Sequence, residues 1–238
     1  MRLDTGPTGQ SDQGYRRKKN DVRFHGEHCT QGARGLSRRT VFAVPYPSKL
    51  SSEQILDSAE VLLESQGPEA LTMRSLAEAL QVRPSSLYRH FQSRETLLRA
   101  LGDRATLALH NELRQATQGQ EARPALLCAV TTYLNYARTH PHLYALMLVE
   151  NDDLTPQELA ESPGKQLWNT FLELIGAVSG HPDDTDHTVA FWTFLHGFVS
   201  LERTGAFGKS GPRGGLTVGV EALIGYMENA AKQSVRQS

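Results

Sequence analysis

Residues 71–95 read LTMRSLAEALQVRPSSLYRHFQSRE, a pattern that predicts two short helices joined by a tight turn. The Thr72 hydroxyl can accept a hydrogen bond from the free N–H groups that open a helix, so a helix is expected to begin there. Pro84 disfavours helical backbone at the residue before it and suits the first turn of a new helix. The second helix is therefore predicted over 84–91.

The second of these helices presents a polar face. Leu87 and Phe91 are spaced i, i+4 and are predicted to pack inward, which turns outward Ser85, Ser86, Tyr88, Arg89 and His90. Residues 71–94 hold four arginines and one glutamate, a net charge of +3, whereas the whole chain carries −1. Guanidinium groups suit phosphates and guanine edges, and hydroxyls commonly position phosphates. The pattern predicts a helix-turn-helix that reads DNA, with a merely solvated pair of surface helices as the alternative.

The same stretch and its flanks carry motifs of a known family. They are Leu71-Thr72, LAEAL at 76–80, Val82, LYRHF at 87–91 and SRETLL at 93–98. Together they resemble the N-terminal domain of the tetracycline-repressor (TetR) family of bacterial transcription regulators, over residues 51–101. The resemblance implies DNA contacts from nine residues in or beside the two short helices: Thr72, Arg74, Arg83, Pro84, Ser85, Ser86, Tyr88, His90 and Arg94.

One position departs from the family pattern. The family usually has glycine in the turn where this chain has Gln81. Glycine adopts positive φ without a steric penalty, because it has no Cβ. The sequence therefore predicts local backbone strain at Gln81.

Length and composition limit the classes of protein that remain. A chain of 238 residues is long enough for one large or two modest domains. It has no apolar run of membrane-spanning length and no apolar N-terminal segment, so a soluble cytoplasmic protein without membrane contact is expected. Cys29 and Cys128 lie far apart and are expected to be reduced thiols. Neither a metal nor a cofactor is predicted.

The rest of the chain is expected to be all-α, with about nine helices. Ser51 and Gln54 form a predicted capping box at the first helix, and a long helix is expected from Ser93 to about Gln118. Helical spacing with Gly, Pro or Asp between segments then predicts further helices over 124–139, 141 to about 150, 164–179, 184 to about 205 and 216 to about 232.

Three regions are predicted. Residues 1–47 hold nine Lys and Arg against four Asp and Glu, and are interpreted as a disordered basic extension. Residues 48–101 form the DNA-binding domain, with the helix-turn-helix motif at about 72–91. Residues 102–235 form a larger helical domain for effector binding and dimerisation. From residue 100 onward ten basic residues face fifteen acidic ones, so this part is expected to repel DNA.

The C-terminal region carries a second, shorter resemblance. Residues 191–202 read FWTFLHGFVSLE and resemble the Trp-x-x-x-His-Gly segment of one subgroup of TetR-like C-terminal domains. Gly197 within it is predicted to permit close helix approach. The resemblance implies that the last two long helices pack against their copies in a homodimer. Two recognition helices about 34–36 Å apart would then read a palindromic operator in double-stranded DNA.

The resemblance also implies an apolar cavity for a small-molecule effector. Large apolar side chains with a few polar tips are typical of such pockets. The candidate lining residues, each of which is alternatively a plain core residue, are Tyr133, Tyr136, His140, Tyr144, Met147, Trp168, Phe171, Trp192 and His196.

The predicted function is a ligand-responsive transcription repressor. The alternatives are an all-α enzyme and a helical interaction protein that does not bind DNA. The enzyme alternative lacks support in the sequence, which has no Gly-rich phosphate loop, no Gly-x-Ser-x-Gly and no His-Glu-x-x-His motif.

Overall fold

Caps encoded in the sequence set where the helices begin. The computed structural model describes residues 50–148, 154–208 and 214–237, with the backbone alone for 233–237. Within these residues the chain is all-α, as predicted, and has ten helices and no strand. They are α1 (Ser52–Gln66), α2 (Met73–Ala79), α3 (Pro84–Leu87), α4 (Arg94–Thr117), α5 (Ala122–Thr139), α6 (Pro141–Leu146), α7 (Pro156–Glu161), α8 (Pro163–Ser179), α9 (Thr185–Arg203) and α10 (Gly215–Gln237).

Three of the N-caps begin helices in or beside the predicted helix-turn-helix. Ser51 and Gln54 form the predicted capping box of α1. Thr72 caps α2 and Ser93 caps α4, each with reciprocal bonds to the residue three positions later. An N-cap of this kind stabilises a helix by about 1 kcal/mol, so these helix starts are fixed by local sequence.

Helix α7 accounts for the difference between the nine predicted helices and the ten observed. It is six residues long, begins at a Thr155–Glu158 capping box and buries none of its side chains. Without a buried face it lacks the apolar periodicity from which the other helices were predicted. The predicted basic extension, residues 1–47, lies outside the described residues.

Helix α4 lies at the centre of the molecule and packs against α5, α6 and α8. Its predicted core positions Leu97, Leu101 and Leu109 are fully buried. A Cβ added at Gly102 would stand 2.8 Å from the carbonyl oxygen of Leu146 in α6. The backbones of α4 and α6 are therefore in direct contact. None of the helices in the described part of the chain is long and apolar enough to span a membrane.

Helix α1 is bonded to both α4 and α6. The Glu64 carboxylate accepts the backbone N–H groups of His142, at 3.1 Å, and of Leu143, at 2.7 Å, in the first turn of α6. Arg104 of α4 donates to Asp57 of α1 at 2.5 Å. The described residues, 50–148, 154–208 and 214–237, belong to one compact unit. Helix α4 runs without a break across residue 101, where the boundary between two domains was predicted. The division into two domains there stays a prediction.

Candidate DNA interface and ligand cavity

Helix α3 is held in place by its two inward-facing side chains. Leu87 is fully buried and Phe91 is 9% exposed, as their spacing predicts. Pro84 occupies the first turn, and Arg83 before it has extended backbone, with ψ 143°. Leu76 of α2 is fully buried in the same cluster. The outer face of α3 is thus fixed relative to α2 by a small apolar core.

The turn between α2 and α3 contains the predicted strain. Gln81 has φ +55°, and it is the sole non-glycine residue of the described chain with positive φ. The next residue, Val82, donates its backbone N–H to Ala77 at 2.9 Å, which closes the turn. The left-handed conformation for which the family resemblance implies glycine is therefore adopted here by glutamine.

Helix α3 is shorter than predicted. It ends at Leu87 instead of Phe91, and residues 88–90 form a turn. The Leu87 carbonyl accepts both the His90 and the Phe91 N–H, each at 2.9 Å, so the last turn tightens from the α towards the 3₁₀ pattern. This tightening takes Phe91 back into the core just before Ser93 begins α4.

Most of the predicted DNA contacts share one exposed surface. Tyr88 is 51% exposed, an unusual position for a large aromatic side chain. Ser86 is half-buried, and the exposed members are Arg83, Pro84, Ser85, Tyr88 and His90. His90 is within hydrogen-bond distance of the Ser52 hydroxyl, with 3.1 Å between Nδ1 and Oγ, which joins this surface to the start of α1.

Thr72 and Arg74 lie at the start of α2. Thr72 is engaged as the N-cap, where its hydroxyl accepts the Ser75 N–H at 3.0 Å. Arg74 is exposed and pairs with Glu78 one helical turn away, at 3.1 Å. Exposed ion pairs contribute about 0–1 kcal/mol, so this pair opens readily and leaves the guanidinium available to a phosphate.

Arg94 differs from the other predicted DNA contacts, because its guanidinium is bonded to the loop between α1 and α2. It donates to the carbonyl of Leu71 at 2.6 Å and to the carbonyl of Pro68 at 2.5 Å. Two of its N–H groups are thereby used to bind the start of α4 to the loop between α1 and α2. The geometry gives Arg94 a positioning role in the helix-turn-helix.

A cavity of 230 Å³ lies between α4, α5, α6, α8 and α9. We call it the inner chamber. Six of the nine predicted effector residues line it: Tyr133, Tyr144, Met147, Trp168, Phe171 and Trp192. The sequence analysis did not single out the remaining lining residues, Thr106, Leu148, Gly164 and Leu167. These small or aliphatic residues carry no chemical feature that separates a cavity wall from ordinary core.

The other three predicted effector residues lie outside that lining. The Tyr136 hydroxyl donates to the Ala105 carbonyl of α4 at 3.0 Å. His140 caps the junction of α5 and α6, with its ring 4.9 Å from that of Tyr136. His196 stands behind the wall, where its Nδ1 is 2.7 Å from the Tyr144 hydroxyl.

A chain of polar groups borders the inner chamber. The hydroxyls of Tyr133 and Tyr144 are 2.6 Å apart, and Tyr144 is bonded in turn to His196. Burial raises the pKa of both tyrosines. Burial, with a smaller effect from the Arg203 charge, lowers the pKa of His196 below its usual 6.5. All three groups are therefore neutral at pH 7.

A second cavity of 460 Å³, the outer chamber, adjoins the first and shares Thr106, Met147 and Gly164 with it. Its wall mixes apolar residues with charged ones, namely Glu95, Arg99, Asp103 and Lys165. Burial raises the pKa of Asp103, against an opposing effect of Arg99. Sequence reasoning missed this chamber, although Glu95, Arg99, Asp103 and Thr106 recur every three or four residues on one face of α4.

Comparison with known proteins identifies the family. The model of the bacterial regulatory proteins of the tetR family matches residues 55–101, and that of the tetracyclin repressor-like C-terminal domain matches 126–216. An uncharacterized HTH-type transcriptional regulator of Mycobacterium tuberculosis is 32% identical over 181 residues, which cover 73% of this chain and 80% of the relative. The chain belongs to the TetR family of bacterial transcription regulators.

Solved structures agree with this TetR assignment at the level of the fold. A protein of unknown function from Rhodococcus sp. RHA1 superimposes with a TM-score of 0.58 at 22% identity, over 79% of this chain and 97% of that one. A TetR variant from Acinetobacter baumannii in complex with minocycline gives 0.54 at 19% identity, over 79% and 98%. As a TetR-family member the protein is a transcription regulator and not an enzyme. The Trp-His-Gly subgroup stays a prediction.

Helices α9 and α10 of this TetR-family chain each expose a stripe of small and apolar residues. The stripe on α9 is Val189, Thr193 and Leu201 with the half-buried Gly197 between them, and that on α10 is Val218, Ala222 and Tyr226. Gly197 was predicted to permit close helix approach, but a Cβ added there meets nothing within 4 Å in the described chain. The close approach of α9 and α10 occurs instead at Gly219, against the ring of Phe194.

Proposed function

We propose that this protein is a cytoplasmic repressor that binds a palindromic operator as a homodimer and is released from it by a small-molecule effector. The observation that carries the proposal is the exposed surface of α3 and the following turn, supported by buried Leu87 and Phe91. Tyr88 is half exposed there although it has the bulk of a core residue. Large aromatic groups left in solvent beside arginines and hydroxyls fit a surface that a partner covers.

In the proposed complex this surface enters the major groove of double-stranded DNA. Arg83 presents a guanidinium to a base edge or a phosphate, and the hydroxyls of Ser85, Ser86 and Tyr88 position the backbone. Pro84 and His90 contact the groove wall, while Thr72 and Arg74 at the start of α2 meet a flanking phosphate. Arg94 supports this arrangement from behind through Leu71 and Pro68.

The stripes of α9 and α10 support the homodimer. They lie on the two helices that the family resemblance assigns to dimerisation, and they expose Leu201 at 50%, Val218 at 71% and Tyr226 at 67%. Pairing the two stripes with their copies would bury this surface in a four-helix bundle. A two-fold axis through the bundle then presents two α3 surfaces to successive major grooves.

Release by an effector is supported by what the inner chamber touches. Its wall includes Thr106 of α4 and Tyr144 of α6. Helix α6 is bonded through Glu64 to α1, which packs behind the helix-turn-helix. A ligand that binds one arrangement of α4 and α6 more tightly would change the population of the DNA-binding arrangement. A coupling of about 1–3 kcal/mol is the usual allosteric scale.

The test is binding to the DNA that flanks the protein's own coding region. A near-palindrome from that DNA should bind the purified protein in a fluorescence anisotropy titration, with affinity that falls steeply as salt rises. Arg83→Ala and Tyr88→Ala should each lose about 1–3 kcal/mol of binding free energy. Arg114→Ala is the control, because Arg114 pairs with Glu173 at the other end of α4. Equal binding by all four proteins would contradict the proposed interface.

A further inference from the structure

Among the described residues, the lining of the inner chamber is mainly aromatic and aliphatic, and none of its side chains is charged. We infer that it takes a neutral, flat aromatic molecule with one oxygen substituent that hydrogen-bonds to the Tyr133–Tyr144 pair. This inference rests on the proposed effector role of the cavity and specifies the chemical class of the effector. Three features carry it: the ring geometry, the absence of charge in the lining, and the polar chain at one end.

The ring geometry favours a flat occupant. Tyr133 makes edge contacts with the rings of Tyr144, at 5.7 Å, and of Phe171, at 5.8 Å. Trp168 and Trp192 complete the aromatic wall. Aromatic pairs prefer edge-to-face or offset-stacked contacts, so rings that already meet at right angles offer both a face and an edge to a further ring. The buried rings of Tyr133, Tyr144 and Phe171 are each at most 2% exposed, which makes this wall preformed.

The lining selects against charge on the bound ring. Its ten residues are uncharged at pH 7: Thr106, Tyr133, Tyr144, Met147, Leu148, Gly164, Leu167, Trp168, Phe171 and Trp192. A carboxylate or ammonium transferred into such surroundings loses its hydration without gaining a counter-ion. The nearby guanidinium of Arg203 lies 5.8 Å from the centre of the Tyr144 ring and is not part of the lining.

The polar chain selects an oxygen substituent. Neutral His196 carries one ring proton, on either Nδ1 or Nε2. With the proton on Nε2, Nδ1 accepts from Tyr144, which accepts from Tyr133. The Tyr133 oxygen also accepts from the Trp192 side chain and keeps one lone pair as an acceptor. With the proton on Nδ1, the direction reverses and Tyr133 is left as a donor. The pair therefore accommodates either a hydroxyl or a carbonyl.

Four bicyclic probes separate these features in calorimetric titrations of the full chain without DNA. Coumarin carries a carbonyl, 2-naphthol a hydroxyl, naphthalene no oxygen, and coumarin-3-carboxylate a charge. We expect 2-naphthol to bind about 3- to 10-fold more tightly than naphthalene, the value of one net hydrogen bond. Coumarin should bind at least about tenfold more tightly than its carboxylate.

The binding position is tested with the two tryptophans, Trp168 and Trp192, which are the only ones in the chain and both line the chamber. In protein with isotope-labelled tryptophan, 2-naphthol should shift both indole N–H resonances.

Tyr133→Phe keeps the ring and removes the hydroxyl, and should reduce the advantage of 2-naphthol over naphthalene to less than about twofold. Thr188→Val is the control, since it removes a buried hydroxyl that bonds to the Asp184 carbonyl outside both chambers.

Any of three results overturns the inference: no binding by coumarin and 2-naphthol, equal binding by coumarin and its carboxylate, or an unchanged 2-naphthol advantage in a folded Tyr133→Phe protein. If the last variant does not fold, Tyr144→Phe, which interrupts the same chain, replaces it. The proposed function is judged separately. Failure to bind operator DNA would contradict the repressor proposal even where 2-naphthol binds as expected.

Discussion

At the scale of single residues, Gln81 and Arg94 fix the geometry of the proposed DNA-reading surface. Gln81 provides the left-handed turn that brings α3 against α2. Arg94 binds the start of α4 to the loop before α2 through two carbonyls. Neither side chain needs to touch DNA in order to affect DNA binding, because both fix the position of the backbone that carries the exposed residues of α3.

Gln81→Gly should stabilise the protein by about 0.5–1 kcal/mol. A left-handed conformation costs a residue with a Cβ roughly 1–2 kcal/mol, and the greater freedom of glycine in the unfolded chain offsets part of that gain. The measurement is urea unfolding at one protein concentration, read as a higher midpoint with an unchanged slope. Gln118→Gly is the matched control. Gln118 has φ −60°, so glycine there should not stabilise.

Arg94→Ala should destabilise the protein by about 1.5–3 kcal/mol, since it removes charge-assisted hydrogen bonds to two carbonyls. Operator affinity should fall by a similar factor for every DNA sequence, as expected for a residue that positions the surface. Arg89→Ala is the control at an exposed arginine, and its free energy of unfolding should change by less than about 0.5 kcal/mol. Wild-type stability in Arg94→Ala would show that the two bonds contribute nothing.

At the scale of helices, the first turn of α6 is capped by a residue of another helix. Glu64 of α1 accepts the N–H groups of His142 and Leu143, where the helix dipole favours a negative charge. Since α6 also forms part of the inner chamber through Tyr144, this carboxylate directly bonds a helix of the ligand cavity to the helix behind α2 and α3, as the Arg104–Asp57 pair does from α4.

Glu64→Ala should therefore lower the free energy of unfolding by about 1–2 kcal/mol, and Glu64→Gln, which keeps an acceptor oxygen but not the charge, by roughly half as much. Thermal or urea unfolding measures both. Glu69→Ala removes an exposed carboxylate from the loop after α1 and should have little effect. The order wild type, Gln, Ala is the expected result; equal stability of all three would contradict the capping role.

At the scale of the whole molecule, the stripes of α9 and α10 lead to a prediction about assembly. Val218→Glu should weaken self-association at least about tenfold in sedimentation equilibrium, because it places like charges near the two-fold axis of the proposed dimer. Val61→Glu is a closely matched control, since Val61 is 69% exposed and Val218 is 71% exposed in the single chain. Val61 lies on α1, away from the stripes. Loss of association in both variants, or in neither, would contradict the proposed interface.

Much of the fold could be predicted because its signals are local. Caps at Ser51, Thr72 and Ser93 act on groups three residues away, and the buried positions of α1 and α4 recur with helical spacing. Helix α7 was missed because it buries nothing. The end of α3 was misplaced because two donors compete for one carbonyl, that of Leu87, and packing of Phe91 decides the outcome.

The ligand cavity could be predicted less completely, as α5 shows. Tyr133 and Tyr136 are three residues apart on one helix, and both are buried. Tyr133 borders the inner chamber, whereas Tyr136 donates to the backbone of α4. Their hydrogen-bond partners lie on other helices, Tyr144 on α6 and Ala105 on α4, so no local pattern distinguishes the two residues.

The sequence by itself determined the helical elements, the DNA-reading pair, the strained position at Gln81 and the family, because each depends on residues within a few positions of one another. Tertiary structure alone decided that the Arg94 guanidinium bonds to the loop between α1 and α2, that Tyr133, Tyr144 and His196 join in one hydrogen-bonded chain, and that six of nine candidate side chains meet at one chamber. These contacts join residues that are distant along the chain, and packing of whole helices sets them.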